Sequence, residues 1–116
     1  MNIKSGMTKE GRIQLWDFKQ YHAGFRGSDT IYQVPHAKTT LYTNKRGSNV
    51  HPLATGAWRA PHANSNTFAR ESQIDIMAAE VGVDPVQFRL NNLSDEKMIQ
   101  VIEALKEKWG YTPAPA

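Results

Sequence analysis

The chain contains no cysteine. Disulfides, iron–sulfur ligation by this chain and a cysteine nucleophile are therefore excluded, although the redox compartment is not fixed. No apolar run approaches the ~20 residues of a membrane-spanning helix. The N-terminus lacks a signal-type apolar core, so no membrane association is expected. No glycine-rich phosphate loop is present, because Gly24 and Gly27 precede no helical pattern and no P-loop lysine follows them. The histidines His22, His36, His51 and His62 all fall in loop-like sequence, and no pair has the spacing of a metal site. Neither metal ligands nor a nucleophile elbow can be assigned. No recognised motif for autonomous catalysis is present.

Clustered positive charge is missing too. The formal net charge is +3. Residues 1–62 carry nine Lys/Arg against three Asp/Glu, and residues 63–116 carry five against eight. A basic half could attract nucleic acid, but only Lys45 and Arg46 are adjacent. A nucleic-acid partner needs a stripe and is disfavoured. What remains is ordinary for a globular chain: 116 residues, 40% hydrophobic and 22% charged. A single domain over residues 1–116 is expected, burying roughly two thirds of its unfolded surface.

The pattern predicts an α+β fold, with short antiparallel strands within residues 1–62 followed by two or three helices within 63–110. Thr8, Lys9, Glu10 and Gly11 form a turn signal. Residues 12–18 then alternate, with Ile13 and Leu15 on one face and Gln14, Trp16 and Phe18 on the other. Such a strand is expected to be covered on both sides, within a β-hairpin. Residues 22–30 and 44–56 read as loops, and residues 39–43 as a short strand.

Ile74, Met77, Ala78 and Val81 have helical spacing over about residues 66–81, with candidate caps at Asn64, Ser65, Asn66 and Thr67. Asp84 and Pro85 open a second helix whose apolar face would be Val86, Leu90 and Leu93. Ser94 would cap a third, with Asp95 and Glu96 in its first turn. Met98, Val101, Ile102, Leu105 and Trp109 give that helix one apolar stripe, expected to serve as core or interface. Gly110 and Pro113 end it. The helical half runs over residues 63–112, and residues 113–116 form a frayed tail.

Two places carry candidate chemistry. Glu71 and Asp75, at i and i+4, could act as paired carboxylates; more commonly such a pair is one hydrogen-bonded acid and one solvated acid. Residues 55–67 form a polar, small-residue loop leading into a helix N-terminus. Backbone amides there, with the Arg59 guanidinium, suit an anion. Trp58 and Pro61 would supply apolar walls. The plain alternative is that Arg59 is a structural ion-pair partner.

The run Thr55-Gly56-Ala57-Trp58-Arg59-Ala60-Pro61-His62 precedes a helix with Phe68, Glu71, Ile74, Asp75 and Ala78 in an F-x-x-E-x-x-I-D-x-x-A pattern. Gly82, Asp84, Pro85, Arg89 and Asn92 then follow as G-x-D-P-x-x-x-R-x-x-N. This stretch resembles the molybdopterin-binding catalytic subunit of the xanthine dehydrogenase/aldehyde oxidase (molybdenum hydroxylase) family. The bacterial nicotinate- and isoquinoline-type branch looks nearest. The earlier runs Gly6–Ile13 and Ile31–His36 are similar to that family's hairpin and Y-x-I-P segments. Ala60 and His62 stand where the family pattern has glycine. If either position needs positive φ, the substitution costs stability.

The resemblance implies that Arg59 contacts the molybdenum–molybdopterin cofactor, that Trp58 flanks it through its backbone, and that Pro61 borders the substrate pocket. The family's catalytic subunit is several times longer, and its general-base glutamate has no match here. The chain thus reads as a fragment or split subunit of a cytoplasmic oxidoreductase acting on aldehydes or N-heteroaromatics. It is expected to be inactive and cofactor-free alone. Implied partners are the larger molybdopterin-binding, iron–sulfur and flavin subunits. Apolar surface left open on an isolated segment is expected to drive self-association. The rival reading is a non-enzymatic relic or interaction module that kept the fold segment and lost the site.

Overall fold

The structure, a computed structural model, describes residues 1–21, 24–42 and 59–112. β1 (Asn2–Met7) and β2 (Ile13–Tyr21) form the expected antiparallel hairpin. Its turn closes through Thr8, whose amide donates to the Arg12 carbonyl at 2.9 Å and whose carbonyl accepts from the Gly11 amide at 3.0 Å. Gly11 is required there twice over. Its φ is +76°, and a Cβ would sit 3.3 Å from the Phe88 ring.

The expected two-sided burial of β2 does not hold. The register passes from Gly6 opposite Leu15 to Met7 opposite Ile13, leaving Gln14 bulged out. One extra residue reverses the in–out alternation. Ile13 therefore turns inward with Trp16 and Phe18, while Leu15 is 45% exposed. Ile13 and Leu15 do not share a face.

β3 (His36–Tyr42) lies on the other side of β2, so His36 opens a strand rather than sitting in a loop. The β2–β3 pairing is parallel, from Leu15 opposite His36 to Tyr21 opposite Tyr42. That corrects the expectation of antiparallel strands throughout. A hairpin needs only a short turn, whereas the long connection after Tyr21 gives the chain room to cross over and pair in the same direction. The tyrosines at the end of the register stack with ring centroids 4.7 Å apart. The crossover is anchored on the inner face: Ser28 and Tyr32 are buried, and the Gln33 amide donates to the Asn92 carbonyl at 2.8 Å.

Three helices follow: α1 (Ala63–Glu80), α2 (Pro85–Asn92) and α3 (Glu96–Trp109). The α+β class and the three-helix reading agree with the sequence. α1 starts three residues before the expected position, because its N-cap is His62, whose side chain does not cap. None of the polar residues at 64–67 serves. α2 starts as predicted, with the Asp84 carboxylate accepting from the Gln87 amide at 2.8 Å and Pro85 at N1. Its buried apolar residue is Phe88 rather than Val86 or Leu90. α3 is capped by Asp95, not Ser94, and ends at Gly110 in the left-handed conformation.

The core joins Ile13, Trp16 and Phe18 of β2 to Tyr32, to Ile74, Met77 and Ala78 of α1, and to Phe88 and Leu93. Each large apolar member contributes roughly 1.5–3 kcal/mol of burial free energy. The α3 stripe is not part of it. Ile99 and Ile102 pack against the core's margin, but no residue of α3 is fully buried.

Candidate functional site

The residues leading into α1 form a constrained turn. Ala60 has φ +51° and His62 φ +67°. Both are thus in the left-handed region that glycine enters freely and that costs other residues roughly 1–2 kcal/mol. The positions where the family pattern has glycine do adopt glycine-type backbone. The Ala63 amide donates to the Pro61 carbonyl at 2.8 Å, and the Asn66 amide to the His62 carbonyl at 3.0 Å.

The turn is held from the side by the crossover loop. A Cβ at Gly24 would collide with the His62 imidazole, so only glycine allows this approach. Asn66, fully buried, donates through Nδ2 to the carbonyls of Gly24 and Arg26 at 2.9 and 3.0 Å. One turn later Arg70, 7% exposed, donates to the carbonyls of Gly27 and Asp29 at 3.2 and 3.0 Å. Asn66, Arg70 and Ile74 lie at i, i+4 and i+8, on one stripe of α1. The first two turns bury polar groups against loop carbonyls, and the next two bury apolar groups against the sheet.

Arg59 precedes this clasp and is exposed. Among the described residues no carboxylate pairs with it. α1 has no side-chain cap and no acidic residue in its first turn. The local field therefore favours an anion beside Arg59. Pro61 is half-buried next to it. Trp58, the other residue assigned to this site, lies outside the described residues, as do His22 and His51. Arg59 and Pro61 are thus brought together at the mouth of α1.

Glu71 and Asp75 form no catalytic pair. Tyr32 Oη donates to Glu71 Oε2 at 2.8 Å, Arg70 Nε to Oε1 at 2.9 Å and Arg89 Nε to Oε2 at 3.1 Å. Arg89 also donates to Asp75 Oδ1 at 2.7 Å. Burial pushes the Glu71 carboxyl up. The hydrogen bonds from Arg70 and Tyr32 and the charges of Arg70 and Arg89 outweigh it and hold the carboxyl below its ordinary value. Burial, with the same Glu71 contact, raises the Tyr32 phenol. A carboxylate engaged by three donors is a cross-link between crossover, α1 and α2, not a base.

The second half of the sequence motif is similarly structural. Asn92 Oδ1 accepts from the Ile13 amide at 2.9 Å, while its Nδ2 donates to the Gly11 and Phe88 carbonyls, both at 2.9 Å. Glu71, Asp75, Arg89 and Asn92 therefore tie the helices to each other and to the hairpin turn. Among the described residues no cluster of His, Asp or Glu could hold a metal ion. No helix among them is long and apolar enough to cross a membrane. The roles of Asn66 and Arg70 were missed in the sequence. Their only signal was that they continue the Ile74 stripe toward the N-terminus.

This sheet, this motif-tied helix pair and this turn define a class. The chain belongs to the molybdopterin cofactor-binding domain family, whose model matches residues 1–93. Over 138 aligned residues it is 28% identical to a nicotinate dehydrogenase subunit of Pseudomonas putida, covering 97% of this chain and 11% of that protein. It is 40% identical over 109 residues to the gamma subunit of the 6-hydroxypseudooxynicotine dehydrogenase complex of Paenarthrobacter nicotinovorans, covering 78% of this chain and 13% of that one. The chain thus spans only 11–13% of the length of these curated relatives. The resemblance to a molybdenum hydroxylase segment stands.

Proposed function

We propose that this chain is one piece of the molybdopterin-binding part of a molybdenum-dependent dehydrogenase acting on aldehydes or N-heteroaromatics, contributing a cofactor-contact loop and a packing shell. The relatives' names, one of them a nicotinate dehydrogenase, support the N-heteroaromatic class. The observation that carries the reading is the turn at residues 59–62, which keeps left-handed backbone at Ala60 and His62 and leaves Arg59 exposed at an uncapped helix start. That arrangement fits an anionic pterin cofactor.

In the assembled enzyme the cofactor, when bound, supplies the redox chemistry. Arg59 holds its anionic portion, keeping its charge at any working pH. Trp58 borders the same group through its backbone, and Pro61 forms part of the substrate wall. Asn66 and Gly24 fix the backbone that aims Arg59. The catalytic base, the remaining pterin contacts, and the iron–sulfur and flavin centres come from partner polypeptides in the cytoplasm. The isolated chain neither holds the cofactor nor turns over substrate.

Purification from the native host tests this directly. Molybdenum at stoichiometric level, in a complex with a larger partner, is expected. The Arg59→Ala variant should weaken cofactor affinity at least about tenfold, the loss of roughly 1.4 kcal/mol, read as molybdenum lost on dilution and dialysis. A cofactor-free monomer without partners would overturn the reading in favour of a relic module.

A further inference from the structure

Among the described residues, the apolar stripe of α3 is left over once the fold has assembled. Met98, Val101, Leu105 and Trp109 are 39, 67, 57 and 73% exposed. Two open hollows flank the stripe and share Ile102 and Arg89. One, of about 420 Å³, lies between Ile31, Leu93, Met98 and Val101; the other, of about 170 Å³, lies between Val86, Leu105 and Trp109. A contiguous apolar surface of this kind marks an interface.

The charges beside it say what covers it. Lys97, Val101 and Lys108 occur at i, i+4 and i+11, so both lysines lie along one margin of the stripe, about three turns apart. Lys106 lines the second hollow on the opposite margin, while Arg89, shared by both hollows, is already paired with Glu71 and Asp75 and adds no free charge. The helix's own carboxylates, Glu96, Glu103 and Glu107, lie on the side away from the stripe. Glu71 also lines the first hollow but is engaged by Arg70 and Arg89, so the free charges at the margins of the apolar strip are those of the lysines.

We infer that this face docks a polypeptide segment presenting apolar side chains bordered by Asp or Glu, supplied by the remainder of the molybdopterin-binding subunit. The inference rests on the reading of the chain as one piece of a larger subunit. It is consistent with a chain that aligns with only 11–13% of its relatives. A second copy, which the sequence-based expectation of self-association would place here, fits poorly. Pairing α3 with itself in either direction sets one lysine border against another, and like charges at helix margins oppose association. A lipid surface fits poorly as well. α3 carries as many glutamates as lysines, and Ile99 and Ile102 already tether its inner side.

The test uses this chain and two synthetic helical peptides with the same leucine stripe, one bordered by glutamate and one by lysine. Fluorescence anisotropy should show the glutamate peptide binding at least about tenfold tighter, with affinity falling as salt rises. Lys97→Glu with Lys108→Glu should invert the preference. Leu105→Asp should abolish binding of both peptides, and Val101→Ser provides a milder variant if circular dichroism shows Leu105→Asp to be misfolded. Equal binding of the two peptides, or binding of neither, overturns the inference. So does a dimer in light scattering that Leu105→Asp dissolves, or stronger capture by phosphatidylcholine/phosphatidylglycerol vesicles than by the glutamate peptide. Molybdenum occupancy of the Arg59→Ala enzyme is read separately, so failure of the docking surface and failure of the cofactor reading are distinguishable.

Discussion

α1 and α3 carry apolar residues at the same helical spacing, yet they end in opposite situations. Ile74 and Ala78 of α1 are fully buried against the sheet, whereas Leu105 and Trp109 of α3 are more than half exposed. Periodicity specifies which side of a helix is apolar; it does not specify what covers it. The better-anchored helix is the less regular in sequence. α1 gives its first two turns to Asn66 and Arg70, which grip loop carbonyls, and only then becomes apolar. The cleaner stripe belongs to the helix that lies beyond the family match, which ends at residue 93.

The contrast can be broken by measurement. Phe88 is fully buried between the hairpin turn and the helices. Phe88→Ala should cost about 3–5 kcal/mol, read as a lower urea midpoint. Glu71→Gln should cost about 1–2 kcal/mol, because Arg70 and Arg89 lose a charged acceptor. That variant also carries a pH signature. The folded Glu71 carboxyl lies below its ordinary value, so its stabilisation is fully present above the ordinary carboxylate range and is lost as pH falls from there through the lower folded value. Acid titration followed by circular dichroism should give a shallower loss for Glu71→Gln than for the parent.

Ala60→Gly and His62→Gly should each stabilise by about 0.5–1 kcal/mol in thermal unfolding, the relief of left-handed backbone less the extra unfolded-state freedom of glycine. No gain at either site would show that the turn is not strained. Smallest of all, Leu105→Ala should change stability by under about 0.5 kcal/mol, since its side chain is 57% exposed. A cost approaching that of Phe88→Ala would erase the difference between the two helices.

Local signals were legible in the sequence. The Thr8–Gly11 turn, the Asp84-Pro85 start of α2 and the Gly110 stop of α3 all stand, because each depends on a few adjacent residues. Long-range outcomes were not legible. The parallel pairing of β3 depends on where the crossover lies, and the bulge at Gln14 depends on the partner strand's register. At the candidate site, Arg59 and Pro61 could be named from the motif resemblance. The clasp made by Asn66 and Arg70 could not, because a buried polar contact to a distant carbonyl leaves no periodic trace. Glu71 and Asp75 look like paired acids in one dimension, and only the fold brings Arg89 between them.

The reach of Asn92 sets a timetable for folding. Its side chain completes the hydrogen bonding of Ile13 and Gly11, about eighty residues earlier in the chain. During synthesis the hairpin can close early, but its turn stays unsealed until α2 has emerged from the ribosome. Until then the newborn strands present an open seam, and the polypeptide is most in need of protection from its neighbours.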